Sequence, residues 1–328
     1  MAVRDIAVIG ATGHQGGGLA RAILAGDSGA FAVRAVTRHP GSERARQLAK
    51  RGAQVVQADL DDEPSLHAAF AGAYGAYVVT DFFADIAGQP SSPAEQGQIR
   101  AERELTQAAH AAIAAHETGL RHVIWSTLED TRVHFNQTGS QVPRTEGGYA
   151  TPHLDAKSEA NALFTGLGVP VTFLQPTFYY ESLPGMLGRD ADGEPELFLP
   201  IADSRLALIA AEDIGRIALA IFRHPEYIGR TVSVAGAHAS GEEIAEMISE
   251  AAGEKVYYRP LTWEQFRSLP AWSAVTAANA FQYFAETEKD LLARHDLARS
   301  RQLNPAMQPL DAWLRAHRAE LLPGPHPT

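Results

Sequence analysis

The 328-residue chain contains no cysteine. Disulfides, thiolate metal sites and thiol nucleophiles are therefore excluded, and the composition suits a reducing compartment, so a cytoplasmic location is expected. No apolar run approaches the roughly 20 residues that a membrane-spanning helix needs. No apolar leader precedes the first strand-like stretch, and no membrane partner is expected. Positive charge is scarce: 28 Lys and Arg stand against 39 Asp and Glu, for a net charge of −11. With no cluster of basic residues either, direct nucleic-acid binding is not expected. Lysine is scarcer still. Lys50, Lys157, Lys255 and Lys289 are the only ones, so the place of each is informative. What remains is ordinary: 45% hydrophobic and 20% charged residues make a globular chain, long enough for one large or two modest domains with a substantial core.

The first residues carry the clearest pattern. Asp5 to Ala11 is a short apolar run that suits a buried strand. It leads into Gly10-Ala11-Thr12-Gly13-His14-Gln15-Gly16, a G-x-x-G-x-x-G loop, and then into small and apolar residues at helical spacing from Gly17 to Leu24. Strand, glycine turn and helix in this order form a phosphate-binding unit. Gly10, Gly13 and Gly16 permit a tight turn and a close backbone approach to a pyrophosphate, and the helix aims free N–H groups at the anion. A glycine-rich turn that only connects strand to helix is the alternative.

The rhythm continues. Strands are predicted at Phe31–Arg38, Gln54–Ala58, Ala76–Thr80, His122–Ser126 and Val171–Gln175. Helices are predicted at Ser42–Arg51, with Ser42 as N-cap, and at Pro64–Phe70, Ala94–His116 and His153–Leu167. Loops are predicted at Phe82–Pro93 and Thr131–Pro152. This βαβα alternation with short connections reads as α/β: a Rossmann doubly wound parallel sheet. From Phe178 the pattern is irregular and then mostly helical, which predicts a smaller α+β domain over 178–328 beside a Rossmann domain over 1–177. Segments 211–222 and 231–235 are expected to return to the first domain. Ser240 and Glu243 read as a capping box.

In a doubly wound sheet, ligands sit beyond the carboxyl ends of the strands. Thr37 and Arg38 end the second strand, where an NAD site usually places Asp or Glu against the ribose hydroxyls. Arg38 instead offers a planar fork for a 2′-phosphate, which favours NADP(H); a solvated Arg at a strand end is the alternative. Asp59 and Leu60 follow the third strand, at the adenine, although Asp59 equally suits a cap for the next helix. Thr80 ends the fourth strand, near the nicotinamide ribose or pyrophosphate. Phe82 and Phe83 either wall the nicotinamide end or pack under the loop. Ser126 and Thr177, at the ends of the fifth and sixth strands, approach the same space. Lys157 shares a helix face with His153 four residues earlier. A lysine there can hold the nicotinamide ribose and lower the pKa of a neighbouring acid.

These stretches together resemble the NmrA-like family, atypical members of the short-chain dehydrogenase/reductase superfamily. The resemblance runs through Gly10 to Gly16, Thr37-Arg38, Trp125 to Glu129, His153 to Lys157 and Thr177 to Ser182, and is closest to the HSCARG-type, NADPH-sensing members. It implies a Rossmann domain with a small C-terminal domain, NADP(H) binding, and frequently a homodimer; monomer or homodimer stays open. It places Thr12, Gly13, His14 and Gln15 at the diphosphate, Arg38 at the 2′-phosphate and Lys157 at the nicotinamide ribose. The active reductases of the superfamily carry a Tyr four residues before the Lys as proton donor. Here that residue is His153, and none of the nine tyrosines precedes any lysine by four. The first reading is a redox-sensing regulator acting through a protein partner, with 131–152 and 178–200 as moving parts; the alternative is a reductase of a quinone, enone or other small apolar carbonyl compound. In the second, Lys157 and His153 are the candidate catalytic residues, and at least half of Phe82, Phe83, Phe178, Tyr179 and Trp125 are expected to be core.

Overall fold

The structure, a computed structural model, describes residues 3–26, 29–86 and 92–321. Strands β1 (Arg4–Ile9), β2 (Phe31–Thr37), β3 (Gln54–Gln57), β4 (Gly75–Val78), β5 (His122–Ser126) and β6 (Val171–Gln175) alternate with helices α1 (His14–Ala25), α2 (Glu43–Lys50), α3 (Glu63–Phe70) and α4 (Pro93–Glu117). Helices α5 (Thr131–Thr138), α6 (Pro152–Glu159) and α7 (Asn161–Gly166) lie between β5 and β6. Beyond β6 come β7 (Phe178–Tyr179), β8 (Leu187–Arg189), β9 (Pro195–Leu197), β10 (Arg205–Ile209), α8 (Ala211–Arg223) and β11 (Thr231–Ser233).

The main sheet has seven parallel strands in the order β11-β6-β5-β4-β1-β2-β3. Both faces are covered, which is why its central strands read as unbroken apolar runs. Leu19, Ile23, Leu48, Ile214 and Phe222 pack one face, and Leu66, Phe70, Ala108, Ala111 and Phe164 pack the other. Helix α8 lies directly on α1. A Cβ on Gly215 would stand 2.1 Å from the Leu19 amide nitrogen, so only glycine permits this approach. The expected Rossmann architecture is present, with a smaller, mostly helical part beside it.

That smaller part holds two three-stranded sheets. One orders β12 (Ala237–Ser240), β10 and β7; the other orders β13 (Tyr257–Tyr258), β9 and β8. Helices α9 (Gly241–Ala252), α10 (Trp263–Arg267) and α11 (Ala274–Glu286) and short helices up to Leu321 complete it around Tyr180, Leu183, Leu197, Phe281 and Trp313. The Ser240–Glu243 capping box forms as expected: Glu243 N–H donates to Ser240 Oγ, and Ser240 N–H to the Glu243 carboxylate.

Several boundaries differ from the sequence reading. Helix α1 begins at His14, not Gly17, so the last residues of the glycine motif already form its first turn. The expected 131–152 loop contains helix α5, capped by the Asp130 side chain on the Arg132 N–H and closed by Gly139 at φ 72°. It shows no apolar period because only Thr131 and Phe135 are buried. Nor is this segment loose. Buried Asp155 accepts from the Thr131 amide (2.8 Å) and hydroxyl (2.7 Å), and from the amides of Ala150 (2.9 Å) and Thr151 (2.8 Å). The helix expected over 153–167 is two helices meeting at Ala160. Part of the expected 82–93 loop, 87–91, lies outside the described residues.

Candidate functional site

Strand order reverses direction between β1 and β4, and the cleft opens at that switch point. Gly10 turns the chain just past β1 at φ +65°, a conformation that penalises any side chain. Gly13 is the N-cap of α1 and supplies no side-chain cap. The amides of the first turn, His14, Gln15 and Gly16, therefore have no intrahelical acceptor, and the positive end of the helix dipole coincides with them. A Cβ on Gly16 would lie 2.5 Å from the Ile9 carbonyl oxygen, so the helix end is held hard against the strand. Uncapped amides in a glycine cradle fit a diphosphate.

The cleft has a volume of about 740 Å³ and runs between the main sheet and α11. Gly10, Thr12, Gly13, His14, Gln15 and Gly16 line it, as do Thr37, Arg38, Asp59, Leu60, Thr80, His153, Lys157 and Thr177. Ser126 does not. It is buried, and its hydroxyl donates to Gln15 Oε1 at 2.9 Å. The same oxygen accepts from the Tyr77 hydroxyl, while Gln15 Nε2 donates to the Tyr179 hydroxyl. The Gln15 side chain is thus turned into the protein, tying the glycine loop to β4, β5 and β7, and only its backbone is left for a ligand. Burial pushes the Tyr77 and Tyr179 hydroxyls well above their ordinary pKa, so both stay protonated. Asp59 caps no helix: Asp62 holds the N-cap place of α3, and Asp59 Oδ1 accepts from the Asp61 amide at 3.1 Å.

At one end of the cleft stands Arg38, exposed, with no hydrogen bond to its guanidinium among the described residues. Arg44 joins it, held by the Thr12 carbonyl at 3.3 Å. Arg103 also lines this end but is engaged with Asp61 at 2.6 Å, an ion pair that holds the Asp61 carboxyl below its ordinary pKa.

Further along, Lys157 Nζ bonds Thr80 Oγ1 and reaches Glu104 Oε1 at 2.6 Å. The Glu104 side chain is 1% exposed and that of Lys157 11%. Sequence reading missed Glu104, which lies in the middle of α4; a carboxylate on the otherwise alanine-rich inner face of that helix was the available signal. One turn before Lys157, His153 packs its ring against both Phe82 and Phe83, with centroids 5.8 and 5.4 Å away, and Nδ1 meets Thr276 Oγ1 at 2.9 Å. Burial, with the nearby Lys157 charge, pushes its pKa down to about 3. The imidazole is neutral at any physiological pH, which removes a protonated His153 as acid. Tyr149 is no substitute: its hydroxyl donates to Glu159 at 3.3 Å, and burial, then Glu159, push its pKa up to about 12.

The far end is apolar. Phe82, Phe83, Phe178, Met186, Phe281 and Phe284 line it, with Phe83 half exposed. Tyr179 also faces the cleft. Of the five aromatic residues weighed from sequence, only Trp125 is wholly core, stacked on Phe164 at 5.3 Å. Among the described residues, Glu129 is the one buried acid in this end.

Fold and cleft together define a Rossmann-type protein with a strand–glycine turn–helix unit at the head of its cleft. The chain belongs to the NmrA-like family, whose model matches residues 3–314. It is 29% identical over 322 residues to the NmrA-like family domain-containing oxidoreductase FrzB of Cladobotryum sp, covering 90% of each chain. It is 28% identical over 294 residues to the NAD(P)H azoreductase of Xenophilus azovorans, covering 88% of this chain and 86% of that one. Among solved structures, NmrA, a negative transcriptional regulator, crystallised with NAD, superposes with a TM-score of 0.74 at 21% identity, covering 96% of this chain and 95% of the other. The same regulator has also been crystallised with NADP.

Proposed function

We propose that this protein binds NADP(H) and reduces a small apolar carbonyl compound, of the quinone or enone class. The observation that carries the reading is the continuity of one cleft. Uncapped amides and an unengaged Arg38 form one end, an aromatic chamber forms the other, and Lys157 lies among the lining residues. A protein that only sensed the dinucleotide would have no use for the chamber. The oxidoreductase and azoreductase names of relatives covering most of the chain support the same reading.

When bound, NADPH supplies two electrons as hydride. The residues divide the remaining work. The α1 amides and Arg38 hold phosphate groups. Lys157, anchored by Glu104 and Thr80, faces the ribose region as a fixed cation. Phe82, Phe83 and the α11 side chains exclude water and orient a flat apolar ligand. Regulation through a protein partner keeps one observation in its favour: the proton-donating Tyr is replaced by a neutral His153.

The test is NADPH oxidation by purified protein against a quinone and enone panel. Turnover well above background is expected, and it should be lost in Lys157→Ala. Micromolar NADPH binding with no turnover on any member would refute the reductase reading and favour the regulator.

A further inference from the structure

Glu129 follows β5 and lines the apolar end of the cleft, yet it is only 8% exposed. Among the described residues no hydrogen bond reaches it. Its polar neighbour is His295, whose Nε2 lies 3.4 Å from Glu129 Oε1, and both atoms are buried with no other partner. His295 Nδ1 meets the Leu291 carbonyl oxygen at 3.1 Å. A carbonyl oxygen cannot donate, so Nδ1 carries the hydrogen. In the neutral tautomer Nε2 is then a lone pair facing a carboxylate. Two buried polar atoms thus face each other with no other partner, an arrangement that a proton shared between carboxyl and imidazole would satisfy.

We propose that Glu129, with His295 behind it, is the proton donor for the compound reduced in the apolar end of the cleft. The inference rests on the reductase reading above. Reducing a C=O group adds hydride to carbon; the π pair becomes a lone pair on oxygen, and that oxygen takes the proton held by Glu129 and His295. The pair is left as carboxylate and neutral imidazole, to be reprotonated from water, and the reductant is the nicotinamide dinucleotide. This supplies the function that the missing Tyr would serve.

The other titratable groups around the pair do not replace it. From α11, Tyr283 has its hydroxyl against Arg294 at 3.4 Å. From α5, His134 is paired with Glu286 at 2.6 Å. From α6, His153 is neutral and Lys157 is held by Glu104. His238 Nε2–H donates to the His295 backbone carbonyl oxygen at 2.9 Å.

Glu129→Gln tests this, because the amide can donate to the same ring nitrogen and preserve packing. In the variant, kcat/KM for an accepted quinone or enone should fall about 10²–10⁴-fold, and the decline of wild-type rate at rising pH should disappear, while NADPH affinity stays unchanged. Independently of turnover, the affinity of the cofactor-free protein for 2-naphthol, a hydroxyl-bearing product analogue, read by tryptophan fluorescence, should weaken about tenfold or more. If Glu129→Gln is unstable, His295→Gln takes its place with the same readouts. An unchanged pH profile together with naphthol affinity within about twofold of wild type overturns the proposal. If wild type reduces nothing in the panel, the reductase reading fails, and the naphthol measurement alone decides whether Glu129 faces a ligand.

Discussion

Removing Glu104 tests how Lys157 is held. The pair is buried, with 2.6 Å between Nζ and Oε1. At an effective dielectric of about 20, the attraction at that distance is about 6 kcal/mol. Desolvation offsets much of it, and Thr80 keeps two contacts with Nζ whatever happens to Glu104. What Glu104→Leu leaves behind is an ammonium group in an apolar setting without its counter-charge, a change that typically costs about 3–5 kcal/mol. For a chain of this size the melting temperature should drop on the order of 10 °C. Lys157→Met alone should do similar harm, by stranding the carboxylate. The double variant Glu104→Leu/Lys157→Met removes both charges and should recover most of the loss, since apolar replacement of a whole buried pair is often close to neutral. Urea unfolding of the four proteins gives the coupling energy. If the two single losses simply add, to within about 0.5 kcal/mol, the pair is no partnership and Lys157 is not anchored by Glu104.

Two further outcomes follow from the site and the core. Arg38→Asp should weaken NADPH about 10–100-fold, the scale of a lost charged hydrogen-bond pair, while NADH gains relative to it; an unmoved NADPH/NADH ratio in equilibrium titration refutes the role of Arg38. His153 and His122 are both pushed down from an ordinary 6.5, to about 3 and about 4, chiefly by burial. Below 6.5 the unfolded chain takes up protons that the folded one refuses, so their contribution is full above that value and is lost as pH falls toward 4 and then 3. Urea midpoints at pH 7 and 4.5 should therefore diverge more for wild type than for His122→Gln/His153→Gln, and equal divergence would contradict this account.

The glycine loop was legible because its parts are adjacent in sequence and each obeys a local rule: an apolar run, a tight turn, a helix start. The limits of β5 and β6 matched for the same reason, since their apolar runs end in turn chemistry. Helix α5 was not legible. Its N-cap Asp130 and C-terminal Gly139 were present, but a helix burying only Thr131 and Phe135 has no apolar period to read. The inward turn of the Gln15 side chain was not legible, because its partners Tyr77, Ser126 and Tyr179 come from three distant strands.

By itself, the order of residues determined an α/β chain with a glycine turn between its first strand and helix, Arg38 at the end of the second strand and a histidine four residues before Lys157. Periodicity, turns and strand-end positions are set by near neighbours, so they survive in one dimension. Only the tertiary structure decided that Lys157 is pinned by Glu104, that His153 is neutral, and that Glu129 meets His295 at the apolar end of the cleft. A buried charge must find its counterpart among whatever groups packing brings within hydrogen-bonding distance, and those groups lie on other elements, far away along the chain.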